Sequence, residues 1–150
     1  MNNIIEKQIK INAPVSRVWQ ALTDYQEFGK WFMVALTAPF SEGKIIHGKI
    51  TYPGAEHLEM RALIEKITPQ KYFSFKWHPY AIDPDHDYSD EKQTIVEFTL
   101  EAIDNGTLLT VKESGFAEIP AIRRQEAYQM NSQGWDIQMN NIAEYLNSLS

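Results

Sequence analysis

The sequence predicts one α+β domain in which a curved antiparallel sheet of about seven strands grips a long C-terminal helix, a helix-grip arrangement. Three observations predict it. Between Met33 and Phe116 the apolar residues recur with the two-residue period of strands, and past Gly115 the period changes to that of a helix. At 150 residues the chain can also bury one sizeable core without disulfides, and it contains no cysteine.

The elements follow in order. Ile5, Ile9 and Ile11 alternate with Glu6, Gln8, Lys10 and Asn12 to give an opening strand, interrupted on its apolar side only by Lys7. Asn12-Ala13-Pro14 ends it, with Asn12 as a candidate cap and Pro14 in the first turn of a helix that sets Val15, Val18, Trp19 and Leu22 on one face. After Thr23-Asp24, the spacing of Phe28, Trp31 and Phe32 predicts a second short helix with a candidate break at Gly29. Residues 34–38, 44–52 and 57–67 read as strands, and Thr68-Pro69-Gln70 as a tight turn. Phe73, Phe75 and Trp77 then oppose Tyr72, Ser74, Lys76 and His78, so the aromatic face should be buried.

Residues 81–91 are polar and acidic, a loop. Val96, Phe98 and Leu100 resume the alternation, and Asp104-Asn105-Gly106 turns the chain into an antiparallel partner strand over residues 108–113. Trp135, Met139, Ile142, Leu146 and Leu149 fall on one stripe of a terminal helix that starts near Pro120. Gly134 within it is expected to mark a bend or a close contact. Pressing this stripe onto the apolar face of the sheet satisfies both surfaces, and two short helices can plug one end.

Fourteen basic and twenty acidic side chains give a net charge of −6, with the basic residues dispersed. Phosphate backbones need a concentrated positive face, so no nucleic-acid partner is expected. The N-terminal residues lack the unbroken apolar stretch of a signal peptide, and no window is as apolar as a membrane span. A mature cytoplasmic protein is expected.

The segment Ile11-Asn12-Ala13-Pro14-Val15-Ser16-Arg17-Val18-Trp19-Gln20-Ala21-Leu22-Thr23-Asp24, Trp31, Ile67-Thr68-Pro69, and Phe73-Ser74-Phe75-Lys76-Trp77 carry a family resemblance. Gly106-Thr107-Leu108-Leu109-Thr110-Val111, Ser114-Gly115-Phe116 and Gly134-Trp135 complete it. With these motifs the chain resembles the START-like, birch-pollen-allergen-like superfamily (SRPBCC), in its branch similar to the activator of the heat-shock chaperone ATPase (AHSA-type). The resemblance implies a strand, two short helices, six strands and a long helix around an apolar cavity. It does not imply one activity, since the superfamily includes lipid carriers, hormone receptors, cyclases and co-chaperone domains. Two positions depart from it: Ser41-Glu42-Gly43-Lys44 stands where relatives carry paired glycines, and Ala62 where they place glycine.

Strand alternation and the helical stripe make Met60, Ala62, Ile64, Phe73, Phe75, Trp77, Val96, Phe98, Leu109, Val111, Trp135 and Met139 the candidate cavity wall, with Trp31 and Phe32 near the entrance. The same side chains would equally fill a close-packed core; the resemblance favours an open pocket. Glu113 shares a strand face with Leu109 and Val111, and a carboxylate buried there could act as acid, base or hydrogen-bonding anchor. Glutamate is rarely buried without a partner, so a wet position at the strand end is the preferred reading.

The remaining motifs carry less. His47, His57, His78 and His86 lie on separate elements without metal-ligand spacing, with His47 and His78 expected in solvent. The acidic loop from Asp83 to Glu91 alternates aspartates but puts Tyr88 where a calcium-binding EF-hand needs glycine and Thr94 where it needs glutamate, so it reads as a solvated flap. Arg123-Arg124 reads as solvated surface charge. No metal and no cofactor are expected.

The preferred function is non-catalytic binding of a small apolar or amphipathic molecule. A cyclase, dehydratase or hydrolase using Glu113 is the second reading, and regulation of a heat-shock chaperone ATPase, implied by the resemblance, is the third.

Overall fold

The computed structural model describes residues 3–148. In chain order the elements are β1 (Ile4–Ile11), α1 (Val15–Thr23), α2 (Tyr25–Phe32), β2 (Val34–Leu36), β3 (Ile45–Ile50), β4 (Glu59–Thr68), β5 (Tyr72–Trp77), β6 (Thr94–Ile103), β7 (Gly106–Ser114), a 3-10 turn at Phe116–Glu118, and α3 (Ala121–Ser148). Seven strands make one sheet in the order β1-β7-β6-β5-β4-β3-β2, and every neighbouring pair is antiparallel. The helix-grip architecture expected from the sequence is the one observed.

Alternation explains which face is buried. Leu109, Val111 and Glu113 of β7, Val96 and Phe98 of β6, and Phe73 and Phe75 of β5 are all at most 1% exposed, and their rings form a continuous layer with Phe73–Phe98 stacked at 6.1 Å. Fully burying one such ring is worth about 1.5–3 kcal/mol, so this layer drives the sheet to curl. Trp135, Met139, Ile142 and Leu146 of α3 are buried against it, whereas Leu149 lies outside the described residues. Lys7, the one polar residue on the inner side of β1, reaches Asp136 of α3 at 3.3 Å.

The two short helices are closed by polar contacts at their corner. Asp24 caps α2 by accepting from the Gln26 and Glu27 amides. Arg17 donates to Glu27 at 2.7 Å, and the Tyr145 hydroxyl donates to the same carboxylate at 2.7 Å, tying α1, α2 and α3 together. Trp31 was expected near a cavity entrance, but it is buried beneath this corner, with its Nε1 donating to the Ala21 carbonyl at 2.8 Å.

Other local expectations are corrected. Asn12 does not cap α1, because Pro14 occupies the capping position and no side chain bonds the helix start. Gly29 does not break α2; a Cβ there would lie 2.4 Å from the Val34 carbonyl oxygen, so glycine lets β2 leave the helix at close range. Gly134 marks no close contact, since a Cβ there would meet nothing within 4 Å, and α3 continues through it. Gly134→Ala should therefore stabilise the protein by about 1 kcal/mol, the difference in helix propensity. Urea denaturation reads this directly, and an unchanged or lowered midpoint would contradict the open surroundings.

Candidate functional site

The site arises where the sheet splits. β5 pairs with β4 only over residues 63–68 of β4, so residues 59–62 are paired on the β3 side alone. The backbone groups of Leu58 and Ile64 bond toward β3 and the turn before it. By alternation, the N–H and C=O groups of Glu59 and Arg61 face away from β3, into the gap. α3 makes its close approaches to β1, α1 and α2, and among the described residues no helix packs closely on β4. A cavity of about 640 Å³ remains between β4, the loop from residue 78 to residue 93, and the first half of α3.

Its walls are mainly apolar: Phe32, Ile50, Leu58, Met60, Ala62, Trp77, Tyr80 and Tyr88 line it, together with the polar Glu59, Arg61, His78, Ser89, Gln93 and Asn131. Ile45 and Ile82 also line it and are 52% and 41% exposed, which leaves an apolar rim at the mouth. Of the residues expected to form the wall, Phe32, Met60, Ala62 and Trp77 meet here. Trp31, Ile64, Phe73, Phe75, Val96, Phe98, Leu109, Val111, Trp135 and Met139 belong to the packed interior and do not line this cavity. They hold its wall from behind, as where Trp135 stacks on Trp77 with centroids 5.9 Å apart.

Glu113 overturns the expectation of a wet carboxylate: it is fully buried. It stands between Ile5 and Val96 on the neighbouring strands, facing α3. Trp77 Nε1 donates to Oε2 at 2.8 Å and the Thr94 hydroxyl to the same oxygen at 2.5 Å. Trp135 Nε1 donates to Oε1 at 2.8 Å, and Asn131 Nδ2 spans both oxygens at 3.0 and 3.2 Å. Two carboxylate oxygens offer about four acceptor sites, so these five contacts leave none free. Asn131 and Trp135 can both serve because they are one helical turn apart. That spacing was legible in the sequence, but which carboxylate it would meet was not.

The loop over the cavity is also more ordered than its composition suggested. Arg123 is not solvated surface charge: its Nε donates to Glu91 at 2.8 Å, its Nη1 donates to the Pro79 carbonyl at 2.7 Å, and its guanidinium lies 4.8 Å from the Tyr88 ring centre. His86 Nε2 lies 2.8 Å from the other Glu91 oxygen. His78, expected in solvent, is half-buried with Nε2 3.1 Å from the Glu91 carbonyl. Burial pushes the Glu91 carboxyl up, but the hydrogen bonds and charges of Arg123 and His86 outweigh it and hold the group below the ordinary carboxylate range. Among the described residues no three His, Asp or Glu side chains gather as a metal site requires, and no helix is long and apolar enough to cross a membrane.

A curved seven-stranded sheet gripping a C-terminal helix, with a ligand-sized cavity beside the helix, defines a protein of the START-like class. The chain belongs to the AHSA1 family, described as activator of Hsp90 ATPase homolog 1-like protein, whose model matches residues 12–147. Among solved structures it is similar to protein MLL2253 from Mesorhizobium loti, with 21% identity, a TM-score of 0.77 and 98% of both chains covered. It is also similar to DynU16, a protein of the dynemicin biosynthetic locus, with 23% identity and a TM-score of 0.75; the match covers 98% of this chain and 48% of DynU16, about half its length. The Aha1 dimer of Colwellia psychrerythraea aligns at 18% identity and a TM-score of 0.68, over 94% of this chain and 93% of that one. Among curated proteins, none matches the sequence.

Two outcomes follow from this geometry. Glu113→Gln sets an amide N–H₂ against donors and should cost about 2–4 kcal/mol; a denaturant midpoint within error of the parent would refute the cage. Glu91, with its folded value depressed, contributes stability present above the unfolded carboxylate value of about 4.3 and lost as pH falls through the lower folded value. Amide protection over residues 79–91, taken relative to the intrinsic exchange rate at each pH, should therefore fall as pH drops below about 4.3, and Arg123→Met should remove most of that dependence.

Proposed function

We propose that this chain binds a small apolar or amphipathic molecule in the cavity between β4, α3 and the loop from residue 78 to residue 93, as a carrier or sensor rather than a catalyst. The observation that carries the reading is the mainly apolar cavity itself, of the size that small-molecule sites occupy, rimmed by exposed Ile45 and Ile82. Glu113 supports the non-catalytic part. Its oxygens are fully engaged, and Trp77 and Asn131 are its neighbours that line the cavity. To act as acid or base on a ligand it would first have to give up donors that nothing else in the interior can satisfy.

Contact with a heat-shock chaperone is a second reading. It is supported by the family description and by Ile122, Met130 and Ile137, which are 97%, 41% and 57% exposed on the outer side of α3. A chaperone ATPase rate that does not respond to added protein removes it.

The cavity reading is tested by filling the cavity. Ala62 is 1% exposed and lines it, so Ala62→Phe should project a ring into the space. The parent should show a thermal shift of a few degrees with naphthalene-type compounds, about the effect of ligand at tens of times its Kd, and Ala62→Phe should abolish it. A variant that remains folded and shifts as the parent does would place the ligand elsewhere.

A further inference from the structure

We propose that the cavity selects molecules presenting a hydrogen-bond donor, a hydroxyl or an N–H, on an apolar body, and that Glu113 sets this preference through Asn131. The inference rests on the ligand-binding reading above and adds the chemical class of the ligand.

A side-chain amide offers a donor at one end and an acceptor at the other, and its two orientations differ only in what surrounds it. Asn131 faces a carboxylate, which accepts and does not donate, so its Nδ2 is committed to Glu113 at 3.0 and 3.2 Å. Its Oδ1 takes no hydrogen bond among the described residues and is not sealed from solvent, and Asn131 lines the cavity. The atom offered to a ligand is therefore an acceptor. Trp77, beside it, has spent its single donor on the same carboxylate and presents only ring surface.

His78 points the same way. Its Nε2 meets the Glu91 carbonyl at 3.1 Å and must carry the hydrogen, so in the tautomer that this contact selects Nδ1 is the acceptor. The free edge of β4 and the exposed Gln93 amide each offer both an N–H and a C=O, and hydroxyl groups turn to either role, so none of these discriminates. Glu113 has no cation within ion-pair distance among the described residues, and its charge disfavours an anionic head beside Asn131, whereas Arg61, the cation that borders the cavity, is an exposed residue alternating with the buried Met60 and Ala62 along β4. Glu113 is thus a positioning residue, one layer behind the atoms that touch the ligand.

Calorimetric titration with 2-methylnaphthalene, 2-naphthol and 2-acetylnaphthalene tests this. These probes share an apolar body and present no polar group, a donor, and only an acceptor. The parent should bind 2-naphthol about tenfold tighter than 2-methylnaphthalene, the worth of one well-made hydrogen bond, and should bind the ketone more weakly than 2-naphthol. In Glu113→Gln the new amide needs an acceptor, so Asn131 turns over, shows Nδ2 to the cavity and moves the preference to 2-acetylnaphthalene. A purely structural Glu113 would weaken all three probes alike. Asn131→Leu should bring 2-naphthol and 2-methylnaphthalene to equal affinity, and it keeps the test decisive if Glu113→Gln does not fold. Equal binding of the three probes by the parent, or a preference for the ketone, overturns the proposal and leaves the cavity reading standing. Failure of every probe to bind overturns both.

Discussion

A carboxylate moved from water into an apolar interior loses its hydration and must find donors of comparable number, or it is not buried at all. Glu113 meets this condition with two indoles, a hydroxyl and an amide drawn from β5, β6 and α3. Because two donors come from strands and two from α3, the carboxylate is satisfied only when α3 lies across the sheet at one height and one rotation. Apolar stripes are tolerant of sliding, since one methyl group is much like another. A saturated buried anion is not, and it sets the register of helix on sheet that the aromatic layer leaves loosely defined.

That register has a consequence for empty space. α3 is held near β1 and the α1–α2 corner, while among the described residues no helix packs closely on β4. The loop from residue 78 to residue 93 closes part of the gap, and Arg123 holds it there through Glu91, Pro79 and Tyr88. The cavity is thus a product of where the helix is anchored and where the strand pairing stops. It is continuous with the anchor through Trp77 and Asn131, which belong to both, so the polarity of its wall is coupled to what stabilises the fold.

Much of this architecture could be read from residue order. Phe73, Phe75 and Trp77 alternated as a half-buried strand does, Trp135 through Leu146 kept a helical stripe, and Phe28, Trp31 and Phe32 marked a short helix; the structure has each of these elements. The buried glutamate was visible as a position, sharing a face with Leu109 and Val111, yet its state was misjudged. Strand periodicity says which way a side chain points, and burial of a charge depends on donors far away in sequence. Arg123 and His78 were misjudged for the same reason, because their partners lie in the loop that leads to Glu91.

Local pattern alone therefore determined the class of fold, the number and order of its elements and the apolar face of each, since these depend on interactions within a few residues and on the period of hydrophobicity. Tertiary structure decided which of the inward side chains pack solidly and which border open space, and that a glutamate could be buried among them. Those outcomes depend on where strand pairing ends and on long-range donors converging on one carboxylate, and neither is written in the spacing of residues along the chain.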